Sequence, residues 1–421
     1  MKLLLKRLST DWPSWLAISF FALLPFGRLI EIPLSIFALS LPFLARSASH
    51  RQRIRRISLI VVPVFLCFWL PMLFSSFDSF LPQKSWLQSI AALRYLAAAL
   101  SISVFLSADS ARWRVVRWTS FILLFWAVDG FIQLIFGSDL FGIAMNPDRL
   151  NAIFLKQYQF YGPTLAILSP ILLEYARRHW PAWAWVAAFT LTLGAVLIAG
   201  MRAGWLLMGL VLVIYMRLMW QRENIKLRKI SFAIPVLVIA TIIGSYLISP
   251  LFQARVEQSL AVSQGSQAAL NAASTYRVPI FKTSMVMFRE HPINGVGVRA
   301  FPEAYMTYAQ DDDIHIQRSS GRSGATHAHN LVLEVMADTG SIGVLGMLIG
   351  FVLVLRLWRG LSPARRYEAF PFALSLGLLL FPLNSYFALY GTYLSSLIWV
   401  LFGLCVSCID DSMPDRPGTP A

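Results

Sequence analysis

The stretch Thr326-His327-Ala328-His329-Asn330 carries two imidazoles, a hydroxyl and an amide directly before a long apolar segment. Imidazole exchanges its proton close to neutral pH, so a histidine at such a place suits a general base that activates a hydroxyl. Polar groups at the mouth of a membrane span are costly to keep near lipid. Their position therefore predicts a polar substrate there. A pair of histidines that only caps or flanks the helix is the alternative.

Arginines form a second candidate set. Arg202 lies in the tight turn Gly200–Trp205 between two apolar segments, and Arg94 lies inside a span. A guanidinium group binds phosphate oxygens through paired hydrogen bonds and stays charged at any relevant pH, which suits a lipid pyrophosphate. Arg202 is also open to interpretation as a snorkelling side chain. The candidate substrate-binding residues are Arg94, Arg202, Arg277, Arg289, Arg299 and Asn330. Solvation in a loop is the expectation for three other arginines: Arg255, Arg318 and Arg322.

The sequence offers no convincing metal or cofactor site. Asp311-Asp312-Asp313 resembles a divalent-cation site, but consecutive acids point in different directions, so a solvated loop is favoured. Cys405 and Cys408 stand in an apolar segment, where packing is more frequent than metal or redox chemistry. A glycine-rich phosphate loop does not occur. We therefore expect no cofactor and a reaction without a metal.

The composition indicates which elements position these residues. Hydrophobic residues make up 57% of the chain and charged residues 14%, and the mean hydropathy is +0.63. These values lie outside the range of soluble domains and are typical of a polytopic membrane protein. The net charge of +15 comes mostly from short basic loops, which are topology signals in membrane proteins. We expect the membrane as a partner and no nucleic acid.

Apolar segments of the length that crosses a bilayer recur along the chain. Trp15 to Ala45 is too long for one span and is interrupted by charged residues, so two helices with a tight turn are predicted. The fold class is an all-α polytopic membrane protein with about 12 transmembrane helices, forming one integral membrane domain over residues 1–421. The further predicted spans are 58–74, 88–107, 118–136, 156–175, 181–200, 204–220, 231–249, 329–355, 369–388 and 391–409.

Every second loop is basic, which predicts the orientation by the positive-inside rule. Both termini come out cytoplasmic, in a bacterial inner membrane. Residues 250–326 then form one large, partly helical periplasmic loop between the ninth and tenth spans, and the candidate site faces the periplasm. Asp129, an acid near the middle of a span, is either a partner of Arg94 or a separate packing contact. The basic loops are Arg46–Arg56, Arg112–Arg114, Arg177–Arg178, Arg222–Lys229 and Arg356–Arg366.

Six sequence elements follow one another in a recognisable order: Arg202 in its turn, Tyr276-Arg277, Pro292–Gly297, His327–Asn330, Gly340 and Gly343. Together these elements resemble the O-antigen ligase and O-antigen polymerase superfamily, and the lipid A-core ligase type in particular. In that family such elements flank the large periplasmic loop, and the twelve-span layout covers the whole chain. The chain departs from the family pattern at Met201, where relatives often have serine, and at Asp338, where they often have glutamate.

The resemblance implies transfer of a glycan from undecaprenyl pyrophosphate to an acceptor hydroxyl, which in ligases belongs to the lipid A-core. It favours His329, directly before the asparagine, as the catalytic base, with His327 as the second candidate. The residues alone leave this choice open. If Thr326 caps the helix, His329 takes the third helical position, whereas His327 shares a helical face with Glu334.

Three other functions remain open. The nearest are a polymerase that uses the same donor and a protein O-oligosaccharyltransferase. A transporter belongs to a different class, and it would place ionisable residues near the bilayer midplane. In this chain they crowd at one end of the spans instead. The glycan structure and the acceptor's identity cannot be inferred from these residues.

Overall fold

The computed structural model describes residues 2–147, 149–155, 160–220, 225–260, 274–310, 312–318, 324–384 and 388–409. These residues form helices and their connections, with two isolated β-bridges and no strand among them. The helices are α1 (Lys2–Ala22), a 3-10 helix (Leu24–Ile30), α2 (Glu31–Leu44), α3 (Ala48–Ser75), α4 (Pro82–Phe105), α5 (Asp109–Phe136), α6 (Tyr161–His179), α7 (Ala182–Ile198), α8 (Arg202–Trp220), α9 (Ile225–Ile248), α10 (Pro250–Leu260), α11 (Arg277–Glu290), α12 (Phe301–Tyr308), α13 (Ile314–Arg318), α14 (Leu331–Gly360), α15 (Pro363–Leu379) and α16 (Thr392–Ser407).

The all-α membrane class is confirmed, but the predicted count of about 12 spans is not. Helices α7 and α16 are apolar but have 17 and 16 residues, so each falls short of the ~20 residues that cross a bilayer core. In the described part of the chain, five helical segments are long and apolar enough to cross a membrane: Leu24–Leu44, Ala48–Ser75, Pro82–Phe105, Asp109–Phe136 and Leu331–Gly360. A sixth is added if Ile234–Ile248 and Pro250–Leu260, which meet at 107°, form one bent span.

Two groups of helices build the bundle. Helix α4 packs against α2, α3 and α16, while α6 packs against α5, α7, α8 and α15. Every residue from Tyr161 to Ala176 of α6 is buried. Helices α3 and α14 approach closely at Gly346, because a β-carbon there would overlap the Cys67 carbonyl oxygen. Small residues that allow such close approach are typical of helix pairs in membranes.

At one end of the bundle, arginines pair with carboxylates. The buried Arg112 of α5 binds Asp109 and Glu368, and it donates to the Ser407 carbonyl at 2.9 Å. These bonds tie α5 to α15 and α16. Glu174 of α6, which is 1% exposed, binds two further arginines at 2.6 and 2.9 Å. We call this the paired end; its members are Asp109, Arg112, Glu174, Arg177, Arg178 and Glu368.

Helix α14 is broken at Gly340, whose φ of 61° and ψ of −155° are not helical. The break frees backbone groups that a continuous helix would bond internally. The amide of Ser341 donates to the Pro292 carbonyl at 2.8 Å, and that of Ile342 donates to the Ile293 carbonyl at 3.1 Å. A β-carbon at Gly340 would overlap the backbone of Ile293. Only glycine therefore fits at the break.

The segment 292–297 also bonds the other side of the break. The amides of Val296 and Gly297 donate to the carbonyls of Ala337 and Asp338 at 2.8 and 3.1 Å. Gly295 has a φ of 70°, and a β-carbon there would overlap the backbone at Asp338. The segment 292–297 therefore follows a tight backbone path across the break. These hydrogen bonds fix the first turns of α14, and with them the residues just before that helix.

Candidate functional site

Four arginines line one cavity of about 110 Å³ at the end of α7 that lies away from the paired end: Arg149, Arg202, Arg255 and Arg277. We call it the arginine cavity. The side-chain oxygen of Gln258 accepts hydrogen bonds from Arg202 at 3.1 Å and from Arg255 at 3.0 Å. The described residues that line the cavity include no carboxylate. A convergence of guanidinium groups around a small cavity suits a phosphate-bearing ligand.

Helix ends add to the positive potential of this cavity. Arg202 is the first residue of α8 and follows a turn at Gly200, whose φ is 71°. Arg277 is the first residue of α11, which has 14 residues. A helix N-terminus carries a positive partial charge and unbonded amides, so both ends favour an anion in the cavity.

Strained backbone is concentrated around this site. Non-glycine residues with positive φ are Thr275 (55°), Tyr276 (58°), Arg299 (66°) and His329 (49°); elsewhere in the described chain only Ala152 has one (45°). A side chain with a β-carbon rarely takes this conformation, and the β-branched Thr275 is an outlier. Such strain persists where the surrounding structure enforces it, which is most often at a ligand or catalytic site.

The two predicted catalytic histidines form a close pair. The ring centroids of His327 and His329 lie 3.9 Å apart, with 44° between the planes. The Nδ1 atom of His327 lies 3.1 Å from the Thr326 hydroxyl, and its Nε2 atom is buried with no hydrogen-bond partner in the described chain. Burial, together with the charges of His329, Arg277 and Arg299, lowers the pKa of His327 to about 3. His327 is therefore neutral at physiological pH.

The helix that follows the histidines begins at Leu331, and its cap is Asn330 instead of Thr326. The side-chain oxygen of Asn330 accepts from two amides of the first turn at 3.0 and 3.1 Å, as a capping asparagine does. The prediction that His329 takes the third helical position is therefore wrong. Neither His327 nor His329 lies on α14, so the helical-wheel argument for His327 does not apply.

Arg277 connects the histidine pair to the arginine cavity. It lines the cavity, and its charge acts on the imidazole of His327. The charge of Arg299 also lowers the pKa of His327, and the Arg299 backbone amide binds the buried carboxylate of Asp338 on α14. An anion in the cavity and a proton acceptor on the histidine pair would consequently lie next to each other.

Residues 187–348 match a protein-family model described as O-antigen ligase. This range contains the arginine turn at Arg202, the Arg277 segment, both histidines and the break at Gly340. The resemblance to the ligase and polymerase superfamily is confirmed, and it identifies a glycosyltransferase-type enzyme of a membrane that acts on a lipid-linked polysaccharide. None of the curated proteins compared with the chain matches it.

The structure brings some of the arginines predicted for this family site together and leaves others apart. Arg202 and Arg277 share the arginine cavity, and Arg299 lies beside the histidine pair. Arg94 instead pairs with Glu31 of α2 at 3.7 Å and stacks on its neighbour Tyr95. It does not line the cavity.

Arg289 also lies away from the cavity. It is an exposed residue in the last turn of α11, 12 positions after Arg277. At about 1.5 Å per residue, that separation is roughly 18 Å along the helix. A substrate-binding role for Arg289, as for Arg94 and Asn330, stays a prediction.

Asp129 is not the partner of Arg94. Its Oδ1 atom accepts a hydrogen bond from the Leu140 amide at 3.0 Å, so the acid holds the connection after α5 against its own helix. This resolves the alternatives left open by the sequence in favour of a packing contact. Asp311 and Arg322 lie outside the described residues, as does the side chain of Arg318.

Two cavity arginines were missed by the sequence analysis. Arg255 was expected to be a solvated loop residue, but it lies on α10 and lines the cavity beside Arg202. The position of Arg255 is set by the sharp bend between α9 and α10, which no sequence motif predicts. Arg149 belongs to a connection without regular structure. The one available signal was the excess of arginines on the side of the membrane where the charge rule predicts few.

Proposed function

We propose that the protein is an O-antigen ligase, which transfers a polysaccharide from undecaprenyl pyrophosphate to the lipid A-core at the periplasmic face of the inner membrane. One observation carries the proposal: Arg277 lines the arginine cavity, and its positive charge also lowers the pKa of His327 in the histidine pair. A site for a departing pyrophosphate and a site for an acceptor's proton are thereby adjacent. Residues 250–326 form the periplasmic loop, and both termini are cytoplasmic.

The reaction exchanges one bond at the anomeric carbon for another. The acceptor oxygen forms the new glycosidic bond, and the bond to the pyrophosphate oxygen breaks with its electron pair leaving on undecaprenyl pyrophosphate. Arg202, Arg255 and Arg277 neutralise that leaving group, because fixed guanidinium groups stabilise charge as it develops. A histidine takes the proton of the acceptor hydroxyl.

His329 is the base in this mechanism. A general base works best when its pKa lies near the working pH, and a pKa of about 3 makes His327 a poor proton acceptor. The left-handed backbone of His329 and its place directly before the capping Asn330 give it a fixed orientation. His327 packs against its ring as a neutral neighbour.

A metal is not required in this mechanism, because the arginines already supply positive charge for the leaving group. Purified protein should therefore transfer glycan in excess EDTA. Loss of activity in EDTA that Mg²⁺ restores would overturn the metal-free mechanism.

The decisive experiment for the function is a lipopolysaccharide gel from a deletion strain, complemented with the wild-type chain. A ligase is supported if all polymer bands on the core disappear while lipid-linked polymer accumulates. A single-repeat band on the core would indicate a polymerase instead. Intact lipopolysaccharide with loss of glycan from proteins would indicate a protein O-oligosaccharyltransferase. A reporter fused near Gln310 tests the orientation, and a cytoplasmic signal there would overturn it.

A further inference from the structure

A second cavity, of about 330 Å³, lies between helix α11 and the connection from α12 to α13. We call it the loop cavity. Its volume is at the lower end of the range for small-molecule sites, which is about 300–1,000 Å³. Aliphatic side chains form part of the wall. The aromatic and hydrogen-bonding residues of the wall are Tyr276, Lys282, Thr283, Tyr308, Gln310 and Asp312.

The loop cavity and the arginine cavity share a wall. Thr275 and Arg277 line the arginine cavity, whereas Tyr276, the residue between them, lines the loop cavity. Consecutive Cα atoms are about 3.8 Å apart, so one extended ligand can reach both cavities. The positive φ angles of Thr275 and Tyr276 turn the chain so that neighbouring residues serve opposite cavities. The strained backbone at Thr275 and Tyr276 is therefore part of what shapes the two cavities.

The walls of the loop cavity are held in place by hydrogen bonds. The Nε2 atom of His315 donates to the Tyr276 carbonyl at 2.8 Å, and that of His291 lies 2.8 Å from the Tyr308 hydroxyl. Phe80 packs edge-on against the Tyr308 ring, with centroids 5.8 Å apart. These contacts hold the Tyr276 backbone and the Tyr308 side chain in place before any ligand arrives, which reduces the entropy lost on binding.

The chemistry of the wall fits a sugar better than an ion. The charged residues of the lining are Lys282, the exposed Asp312 and the buried Asp313. Asp313 already accepts hydrogen bonds from the Tyr305 hydroxyl and the His315 amide, both at 2.8 Å, which argues against a cation. Aromatic rings pack on apolar C–H faces, and a mixture of donors and acceptors suits hydroxyl groups.

We propose that the loop cavity binds a saccharide unit of one of the two glycans in the reaction, next to the pyrophosphate in the arginine cavity. The inference rests on the proposed function. Two sources share this chemistry: a sugar of the lipid-linked donor, and a sugar of the accepting core. Lys282, Gln310 and Asp312 are exposed at the rim and supply the hydrogen bonds, while the tyrosines supply the packing surface.

The test removes two rim side chains without changing the net charge. The double variant Lys282→Ala/Asp312→Ala loses one lysine and one acid, as does the control Lys84→Ala/Glu303→Ala, whose side chains form an exposed pair that does not line the cavity. A second variant, Val286→Trp, fills the cavity from α11. KM is measured separately for undecaprenyl-pyrophosphate glycan and for purified lipid A-core, with thermal melting in detergent as the check on folding.

The double variant should raise KM for one of the two substrates about tenfold, since two hydrogen bonds are lost at roughly 0.5–1.5 kcal/mol each. The substrate whose KM rises identifies the source of the bound sugar. If that substrate is the donor, a donor with a single sugar shows whether the cavity binds a sugar beyond the one attached to the pyrophosphate. The inference is overturned if both KM values stay within about twofold of wild type, or if the control raises them equally. Val286→Trp, if folded, must raise the same KM. Should wild-type protein transfer no glycan at all, the proposed function fails instead.

Discussion

The two ends of α7 meet two groups of arginines that differ in their surroundings. At the paired end, Arg112 and the Glu174 cluster combine guanidinium groups with carboxylates, and each contact joins one helix to another or closes a helix turn. In the arginine cavity, Arg202 and Arg255 converge on the neutral Gln258, and none of the described lining residues is acidic. The first arrangement joins helices of the fold, whereas the second gathers several guanidinium groups around one cavity.

The comparison shows that an arginine's role is set by its partner more than by its position in the sequence. Breaking a buried ion pair leaves an uncompensated charge and is strongly destabilising. An arginine that lines a cavity contributes its paired hydrogen bonds to a ligand instead. Substitutions at the two ends should therefore separate stability from activity, and the following predictions use that separation.

The largest effect is expected beside the cavity, at the histidine pair. His329→Ala should lower the transfer rate by about a thousandfold, because general-base catalysis contributes on that order. Donor binding should persist, since the arginines are untouched. His327→Ala should be milder. Both variants are tested by measuring the transfer rate and donor binding in detergent. An active His329→Ala beside an inactive His327→Ala would reverse the assignment of the base.

The next effect tests the arginines at both ends with the same substitution. Arg202→Lys and Arg277→Lys keep the charge but lose the bidentate geometry, so transfer should fall about a hundredfold while the melting temperature holds. Arg112→Lys should do the opposite, lowering the melting temperature and leaving the activity of folded molecules intact. Normal ligation in both cavity variants would make these arginines snorkelling residues.

A smaller effect is expected from Glu174→Gln at the paired end. This variant removes the carboxylate that binds Arg177 and Arg178 and leaves their charges near the buried end of α6. Loss of one partner of a buried pair costs about 3 kcal/mol, so the denaturation midpoint should fall. The rate per folded molecule should stay near that of wild type. A stable protein with reduced transfer would instead place this cluster in the catalytic cycle.

The smallest effect concerns the charge beside His327. Arg299→Gln removes one of the positive charges that lower the pKa of that imidazole, so its pKa should rise from about 3 while burial still keeps it below the ordinary value. The ring takes up a proton more readily when less positive charge surrounds it. NMR titration of labelled histidine measures the shift. An unchanged pKa would show that burial alone keeps His327 neutral.

The sequence predicted the site where residue type and local spacing carry the information. His327, His329, Arg202 and Arg277 stand out because polar groups interrupt apolar segments, and the structure brings the two arginines together. Arg255 did not stand out, since its place in the cavity depends on the bend between α9 and α10. Convergence of distant segments leaves no trace in local spacing.

The fold shows the same division. The membrane class follows from composition and the basic loops, whereas the span count depends on helix ends that composition does not fix. The partner of Arg94 is a second example, because Glu31 lies 63 positions away along the chain and meets Arg94 only through the packing of α2 on α4. Asn330 is a third example, because its side chain caps α14 and the helix therefore begins later than predicted.

Substitution of either Gly295 or Gly340 would break the same contact between the segment 292–297 and α14. An alanine at Gly295 would strike the backbone of residues 337–339, and an alanine at Gly340 would strike the backbone of Ile293 and Asn294. Replacing the second glycine would not relieve the clash caused by replacing the first, since the two side chains would strike different backbone atoms. Descendants of this chain can therefore lose the contact only as a whole, by releasing the segment 292–297 from α14. Any lineage that keeps one glycine in this arrangement should keep both.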